Sequence, residues 1–312
     1  MAWPVAVQAE PPRRIGFIAG GAEPVSIEST VLNEFLRGMR EFGYVEGRDF
    51  VMEWRFAETR YDRFATLARE LVQLNVDVIV LAAGNAVRPT QQVTSTIPIV
   101  MTGSTDPVGT GLVDSLARPG ANTTGLSSAA ADTIPKLFDL LKMAVPHLSR
   151  LAILVNPRIR YPQRLLENAE ATAQSLGIAL ARMEADSVEM LEEAFYAMGR
   201  ERVDALIVTG EPFLLTHRRI IARLARLHKL PSICWYREYV EAGGLMSYGE
   251  RLGDHLRRAA YFVDRIFKGT APADLPIEQP TRFYLSLNRK TADALGLAIS
   301  PQLLALADDV IE

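Results

Sequence analysis

The sequence has few of the residues that form covalent cross-links or metal centres. It contains one cysteine, Cys234, and four histidines in 312 residues. A single cysteine excludes an intrachain disulfide and a cysteine-based metal cluster, and its neighbours Ile233 and Trp235 indicate a buried thiol. No two histidines stand at the spacing of metal ligands. We therefore predict neither a metal site nor a cofactor.

Motifs of common enzyme classes are also missing. The first predicted strand is not followed by GxGxxG, and the chain has neither the phosphate-binding GxxxxGK[ST] nor the nucleophile motif GxSxG. No histidine or second cysteine follows a predicted strand. An isomerase or racemase would have to use carboxylates, for which Asp106 and Glu211 are the candidates. The sequence favours a protein that binds a ligand without transforming it over an enzyme.

The chain lacks an excess of charge and long apolar runs. Its formal net charge is −3, and no basic cluster or helix-turn-helix indicates a nucleic-acid partner. No apolar run approaches the roughly 18–20 residues that span a bilayer. A composition of 48% apolar and 23% charged residues is typical of globular proteins. The length favours two domains, because single cores stop growing near about 250–300 residues.

The first residues resemble the end of a secretory signal peptide. Val7 and Ala9 form an A-x-A-like cleavage pattern, but no basic segment precedes them. We therefore expect a truncated signal peptide and a tether over residues 1–13, and a periplasmic location for the protein.

What the sequence does contain is a repeated pattern of apolar runs followed by small polar residues. Such runs lie at residues 76–82, 97–101, 151–155 and 205–208, and each of the first two follows the preceding predicted strand by about 20–30 residues. This spacing predicts parallel strands joined by helices. Because ligands of open α/β sheets bind outside the carboxyl ends of the strands, the residues that follow each run are candidate ligand contacts.

The βα alternation occurs twice, which predicts an α/β protein of two doubly wound Rossmann-like lobes with parallel sheets. We predict an N-terminal lobe of residues 14–127 plus 249–279 and a C-terminal lobe of 128–248 plus 280–312. The chain then crosses between the lobes near residues 127, 248 and 280. Three crossings form a hinge, and hinged lobes close around a ligand.

In the N-terminal lobe, the candidate contacts follow the predicted strands. Asn85, with the backbone N–H groups of Gly84 and Ala86, is a candidate for holding a carboxylate, and the alternative is an ordinary helix cap. Asp106 is a candidate partner for an ammonium group, with a turn cap as its alternative. Ser104 would add a hydroxyl. A further candidate, Gly20, would let the first loop pass close to the ligand, although a plain tight turn accounts for it equally well.

The C-terminal lobe offers candidates at the matching positions. Asn156 and Glu211 follow two strands, and their alternatives are a local Asx turn and a helix N-terminal charge. The cluster Trp235, Tyr236 and Arg237 suits a flat ligand with a carboxylate, and the alternative is interlobe packing with Arg237 in a salt bridge. The remaining candidate is Tyr248, as a hinge or wall residue of the cleft.

Several long motifs carry a family resemblance. They occupy residues 42–48, 94–100, 106–113, 116–125 and 237–249. Together they resemble the ABC-importer substrate-binding protein family that includes the tryptophan/tyrosine-type binding proteins, over residues 14–312. The resemblance implies a type I periplasmic-binding-protein-like fold with three crossovers, a small amino-acid-like ligand and an ABC permease as partner. We expect a monomer.

The chain departs from this family at two places that should face the cleft. It has Gly84-Asn85-Ala86 where members often show Gly-Thr-Pro, and Cys234-Trp235 where they often have Tyr-Gly. The resemblance therefore leaves the ligand open. It also leaves open a ligand sensor that docks on a receptor kinase or chemoreceptor, because function depends on the site and its partners rather than on the fold.

Overall fold

The structure is a computed structural model that describes residues 11–161 and 163–312. The predicted signal segment lies largely outside the described residues. Within them, no helix is long and apolar enough to cross a membrane.

The first sheet contains five parallel strands in the order β2-β1-β3-β4-β5. They are β1 (Arg13–Ala19), β2 (Phe50–Phe56), β3 (Val78–Leu81), β4 (Ile99–Thr105) and β5 (Thr123–Ser128). The central strand β3 is buried at every position. A continuous Val-Ile-Val-Leu run suits this place, because helices cover both faces of a parallel sheet.

Two layers of helices cover the first sheet, and the sheet with these helices is called the first lobe. They are α1 (Asn33–Glu41) and α10 (Leu252–Phe267) on one face, with α2 (Phe64–Gln73) and α3 (Val87–Gln91) on the other. The contact between α1 and α10 depends on Gly38, where a Cβ atom would lie 2.4 Å from the carbonyl oxygen of Arg257. The late helix α10 is thereby fixed to the first lobe.

The second sheet contains seven strands in the order β12-β11-β10-β9-β8-β6-β7. They are β6 (Arg150–Val155), β7 (Ala179–Glu184), β8 (Ala205–Val208), β9 (Ser232–Cys234), β10 (Met246–Gly249), β11 (Tyr284–Asn288) and β12 (Asp309–Ile311). β11 pairs antiparallel with β10, whereas the other neighbours are parallel. The predicted α/β fold with Rossmann-like lobes is confirmed, with this one antiparallel pairing.

The second sheet and its helices form the second lobe. One face carries α4 (Ala130–Ala144), α5 (Gln163–Leu176), α11 (Arg289–Leu295) and α12 (Pro301–Leu306). The other face carries α6 (Val188–Arg200), α7 (Pro212–Thr216), α8 (Arg218–Leu227) and α9 (Arg237–Glu241).

Three stretches depart from a simple alternation of strands and helices. Strand β4 continues as far as Thr105, because Gly103, at φ +151°, and a register shift between Thr102 and Ser104 absorb an irregularity. The helical segment after β8 is divided into α7 and α8 at His217, whose ring bonds the carbonyl of Phe213. The last helix ends at Leu306, and β12 follows it.

The chain crosses between the lobes three times, and hydrogen bonds join the crossing segments. It leaves the first lobe after β5, returns after β10 and leaves again before β11. The N–H of Ala129 donates to Oε1 of Glu250 at 2.6 Å. The N–H of Ser127 donates to the carbonyl of Glu278 at 2.9 Å. Because these bonds tie the three segments side by side, the crossings form one hinge.

Candidate functional site

A cavity of about 440 Å³ lies between the two lobes, at the carboxyl ends of both sheets. The first lobe contributes the loops after β1 and β3, part of β4 and the start of α10, and the second lobe contributes the loops after β8 and β9 with α7 and the start of α8. A cavity of this size falls in the range of about 300–1,000 Å³ that is usual for small-molecule sites. Several strand exits of the two lobes therefore meet at this cavity.

The lobes touch at the edge of this interlobe cavity, where Gly20 faces Pro212. A Cβ atom on Gly20 would lie 2.5 Å from Cγ of Pro212, which is closer than real Cβ atoms approach. At the next residue, Gly21, a Cβ would lie 3.4 Å from the hydroxyl of Thr216, an ordinary contact distance. The absence of a side chain at Gly20 is therefore what permits this approach.

A polar cluster joins the lobes beside the cavity, centred on Tyr61 of the first lobe. Its hydroxyl donates to Oε2 of Glu211, accepts the N–H of Phe213 at 3.0 Å and lies 3.4 Å from Nδ2 of Asn156. Tyr61 also packs against apolar clusters of both lobes. One side chain thus connects the two cores when the lobes are together.

Glu211 caps helix α7 with both of its carboxylate oxygens. Oε1 accepts the N–H of Leu214 at 2.7 Å, and Oε2 accepts the N–H of Phe213 at 2.9 Å as well as the Tyr61 hydroxyl. Burial raises the pKa of Glu211, and these donors oppose that rise. Although Glu211 lines the cavity, its oxygens already serve the helix and the opposite lobe.

Glu250 and His255 form a buried pair where the hinge meets the cavity. Nδ1 of His255 lies 2.9 Å from the carbonyl of Thr102, and Nε2 lies 3.4 Å from Oε2 of Glu250. A carbonyl only accepts, so Nδ1 carries a proton and Nε2 faces the carboxyl. Burial raises the pKa of Glu250, and His255 opposes this rise. The two side chains are therefore engaged with each other and with the first lobe.

Arg218 is the cavity's guanidinium. Its Nη1 donates to the carbonyl of Leu215 at 2.8 Å. No carboxylate oxygen of the described residues lies within 4.0 Å of it. The other charged wall residue, Glu23, is exposed. Arg218 therefore differs from Glu211 and from the Glu250–His255 pair in having uncommitted hydrogen-bonding capacity.

Four residues selected from the sequence line the cavity: Gly20, Gly84, Glu211 and Tyr236. The ring of Tyr236 lies against Gly210, where a Cβ would be 2.4 Å from Cε2, and burial raises the pKa of its phenol. A Cβ atom on Gly84 would lie 3.1 Å from the carbonyl oxygen of Gly103. The two glycines allow close approach, and Tyr236 supplies an aromatic face.

The neighbours of Tyr236 have structural roles outside the wall. Trp235 is 6% exposed, belongs to the core beneath α4, and donates from Nε1 to Oγ1 of Thr133 at 2.9 Å. Arg237 forms ion pairs with Asp309 and Glu241. Tyr248 stacks on Phe283, with ring centroids 5.9 Å apart.

Other candidates also lie behind the cavity wall. Asn156 is buried and accepts the N–H of Arg158, while its amide nitrogen faces Tyr61 and Glu211. Asp106 accepts the N–H of Gly109 at 3.0 Å in its own turn. Ser104 and Ala86 are buried in the first lobe. For Asn156 and Asp106, the local turn that the sequence left as the alternative is present.

Asn85 is unusual because both polar atoms of its side chain are buried without a hydrogen-bond partner among the described residues. It belongs to a short 3₁₀ turn, Gly84–Ala86, next to the wall residue Gly84. Buried amides are nearly always hydrogen-bonded, so this pair of atoms requires a partner.

Four residues that shape the site are not among the candidates from the sequence: Tyr61, Arg218, Glu250 and His255. Tyr61 and Arg218 lie outside the strand exits, and tertiary contacts alone bring them to the cavity. Glu250 follows β10 at its carboxyl end, so the strand-exit rule applied to that strand could have found it. His255 lies in the first turn of α10, on the side that faces Glu250.

Comparisons with known proteins agree with this architecture. A family model described as ABC transporter substrate binding protein matches residues 26–311. A tyrosine-binding protein of Clostridioides difficile (strain R20291) is 23% identical over 266 residues, covering 84% of this chain and 75% of that protein.

Two solved structures are similar over 96% of this chain and 100% of their own. One is a conserved domain protein from Vibrio cholerae, with a TM-score of 0.87 and 26% identity. The other is an ABC domain in complex with L-Trp from Streptococcus pneumonia, with a TM-score of 0.86 and 24% identity. The latter likeness concerns the fold.

Proposed function

This chain belongs to the ABC transporter substrate-binding protein family, and from that premise we propose that it captures a small amino-acid-like ligand for a membrane permease. The ligand binds in the interlobe cavity without being transformed. We propose residues 14–127 plus 249–279 and 128–248 plus 280–312 as the two lobes, a periplasmic location, and a monomer as the working unit.

The observation that carries this proposal is the cavity of about 440 Å³ that lies between two hinged lobes. Closure is what a binding protein needs, because a ligand that contacts both lobes shifts the population toward the closed form. The close approach of Gly20 to Pro212 and the Tyr61 cluster supply contacts that form only in that state.

The class of ligand is supported by the similar proteins, one named for tyrosine and one solved with L-Trp. Tyr236 offers an aromatic face to such a ligand, and Ala83, Leu252 and Leu256 offer apolar contacts. We propose Gly20, Gly84, Glu211 and Tyr236 as ligand contacts, with an aromatic amino acid as the first ligand to test.

The test is calorimetric titration of the ligand-stripped protein with each common L-amino acid, together with thermal unfolding. A ligand that binds the native state stabilises it by about 2.7 kcal/mol at a hundredfold excess over Kd. Stabilisation by one chemical group of amino acids is expected. A flat response to every amino acid would refute the proposed ligand class. Delivery is tested by uptake of the bound amino acid in cells lacking this chain, before and after the chain is restored.

A further inference from the structure

We propose that Arg218 binds the carboxylate of the ligand and thereby makes the site selective for free amino acids over their neutral derivatives. This inference rests on the proposed function and specifies how the same cavity recognises its ligand. From the sequence, Asn85 with its neighbours and Arg237 were the candidates for the carboxylate, and the structure points to a different residue.

Arg218 is the half-buried charged residue of the cavity wall whose side chain has N–H donors without a partner among the described residues. The guanidinium is half-buried and donates from Nη1 to Leu215, which leaves its other N–H groups uncommitted among the described residues. Of the wall's other charged residues, Glu23 is exposed and the rest are engaged. Glu211 accepts two helix N–H groups and the Tyr61 hydroxyl, and Glu250 is paired with His255.

Arg218 lies beside the cavity at the junction of two helices. It is the first residue of α8, whose first turn contains no acidic side chain, and its guanidinium bonds the last turn of α7 through the carbonyl of Leu215. The neighbouring Arg219 also lies in the first turn of α8 but is exposed and absent from the cavity wall. The position against the cavity therefore distinguishes Arg218 from its neighbour.

A carboxylate matches the uncommitted N–H donors of Arg218 better than other ligand groups do. The guanidinium presents a planar fork of donors that matches the two oxygens of a carboxylate. A bound carboxylate would also supply the negative charge that the described residues do not place within 4.0 Å. Glu238 acts on Arg218 only at longer range, since no ion pair joins the two.

The experiment compares acid and amide forms of one ligand on matched variants. Calorimetry measures L-tyrosine against L-tyrosinamide, and L-tryptophan against L-tryptophanamide, on the unsubstituted protein, Arg218→Gln, Arg218→Lys and Arg219→Gln. If another amino acid is the tightest binder, it and its amide are used. Thermal unfolding of each variant confirms folding.

The unsubstituted protein should prefer the acid over the amide by about ten- to hundredfold, the range of a charge-assisted hydrogen bond. Arg218→Gln should lose that preference, Arg218→Lys should retain part of it, and Arg219→Gln should keep it. Equal affinity of the unsubstituted protein for acid and amide would overturn the role of Arg218 and leave the proposed function standing. An unchanged preference in Arg218→Gln would do the same. Absence of binding by every amino acid would overturn both.

Discussion

The two lobes line the cavity with different kinds of residue, and each lobe's contribution is called a wall. Apart from α10, the first lobe presents mainly small residues and backbone, including Gly20, Gly21, Ala83 and Gly84. The second lobe presents larger and charged side chains from the loops after β8 and β9 and from the start of α8, such as Glu211, Tyr236 and Arg218. The comparison indicates a division of labour, in which the first wall sets how closely the lobes approach and the second sets which ligand is recognised.

The sharpest test of the first wall is Gly20→Ala. The new methyl group would meet Pro212 at 2.5 Å in the closed form. Overpacking of this kind costs about 1–3 kcal/mol, so ligand affinity should fall about ten- to hundredfold. Gly20 is not among the glycines with positive φ, so its backbone accepts alanine and the free protein should keep its thermal stability.

Gly21→Ala is the matched control for that experiment, because its Cβ would meet Thr216 at 3.4 Å. Calorimetry should find its affinity close to that of the unsubstituted protein. Equal losses in the two variants would break the comparison, since they would mean that the whole loop, and not one close approach, governs closure.

Removing the Tyr61 hydroxyl tests the contact between the walls. Tyr61→Phe keeps the ring against both cores but loses the bonds to Glu211 and Phe213. Because these bonds join the lobes, affinity should fall about three- to tenfold, as expected for loss of one or two hydrogen bonds. Small-angle scattering should show a larger open population. Tyr196→Phe, at a residue 66% exposed, is the control and should change neither quantity.

The second wall should also carry a pH dependence, centred on Glu238 behind Arg218 and Arg237. Burial raises the pKa of Glu238 above its usual 4.5, and the two arginines oppose this while Glu241 adds to it. The native state then binds more protons than the unfolded state, so this group's contribution to stability is greatest below pH 4.5 and falls as pH rises through the folded pKa.

Glu238→Gln removes that dependence. Denaturant unfolding should show the variant more stable than the unsubstituted protein at pH 7, with the advantage shrinking toward pH 4. Glu241→Gln, which removes an exposed partner of Arg237, should give little change at either pH. A loss of stability in Glu238→Gln at pH 7 would contradict the assignment of a desolvated charge.

The smallest effect on stability is expected for Asn85→Ala in the first lobe. No hydrogen bond is lost, because both amide atoms lack a partner among the described residues. The free energy of unfolding should stay the same or rise slightly, because the substitution removes two buried polar atoms that carry a desolvation cost. A calorimetric loss of affinity well above that of Tyr61→Phe would break the comparison, because the first wall would then contribute chemistry as well as shape.

The sequence predicted the fold well because the signals were local and repeated. Runs such as Val78–Leu81 and the loops after them placed Gly20, Gly84, Glu211 and Tyr236 at strand exits, and all four line the cavity. Two adjacent candidates, Trp235 and Tyr236, lie in different places because consecutive residues after β9 face opposite ways. Trp235 faces the core and Tyr236 faces the cavity.

The remaining features depend on contacts between distant parts of the chain. Arg237 is held by Asp309 of β12, a strand that the sequence did not predict. Tyr61 meets Glu211 across 150 positions, and no local pattern records that meeting. Hydrophobic periodicity predicts the strands and helices, whereas the contacts between the lobes exist only once both lobes have folded.

Burial of the single thiol makes the protein suitable as a fluorescent reporter. Cys234 is 3% exposed, and burial raises the pKa of its thiol to about 12, so it should resist thiol-directed dyes in the native state. A cysteine introduced at Val25 or Leu227, exposed positions on opposite lobes, would be labelled selectively. A dye pair at these two positions would convert each closure into a change in energy transfer, readable in one molecule at a time.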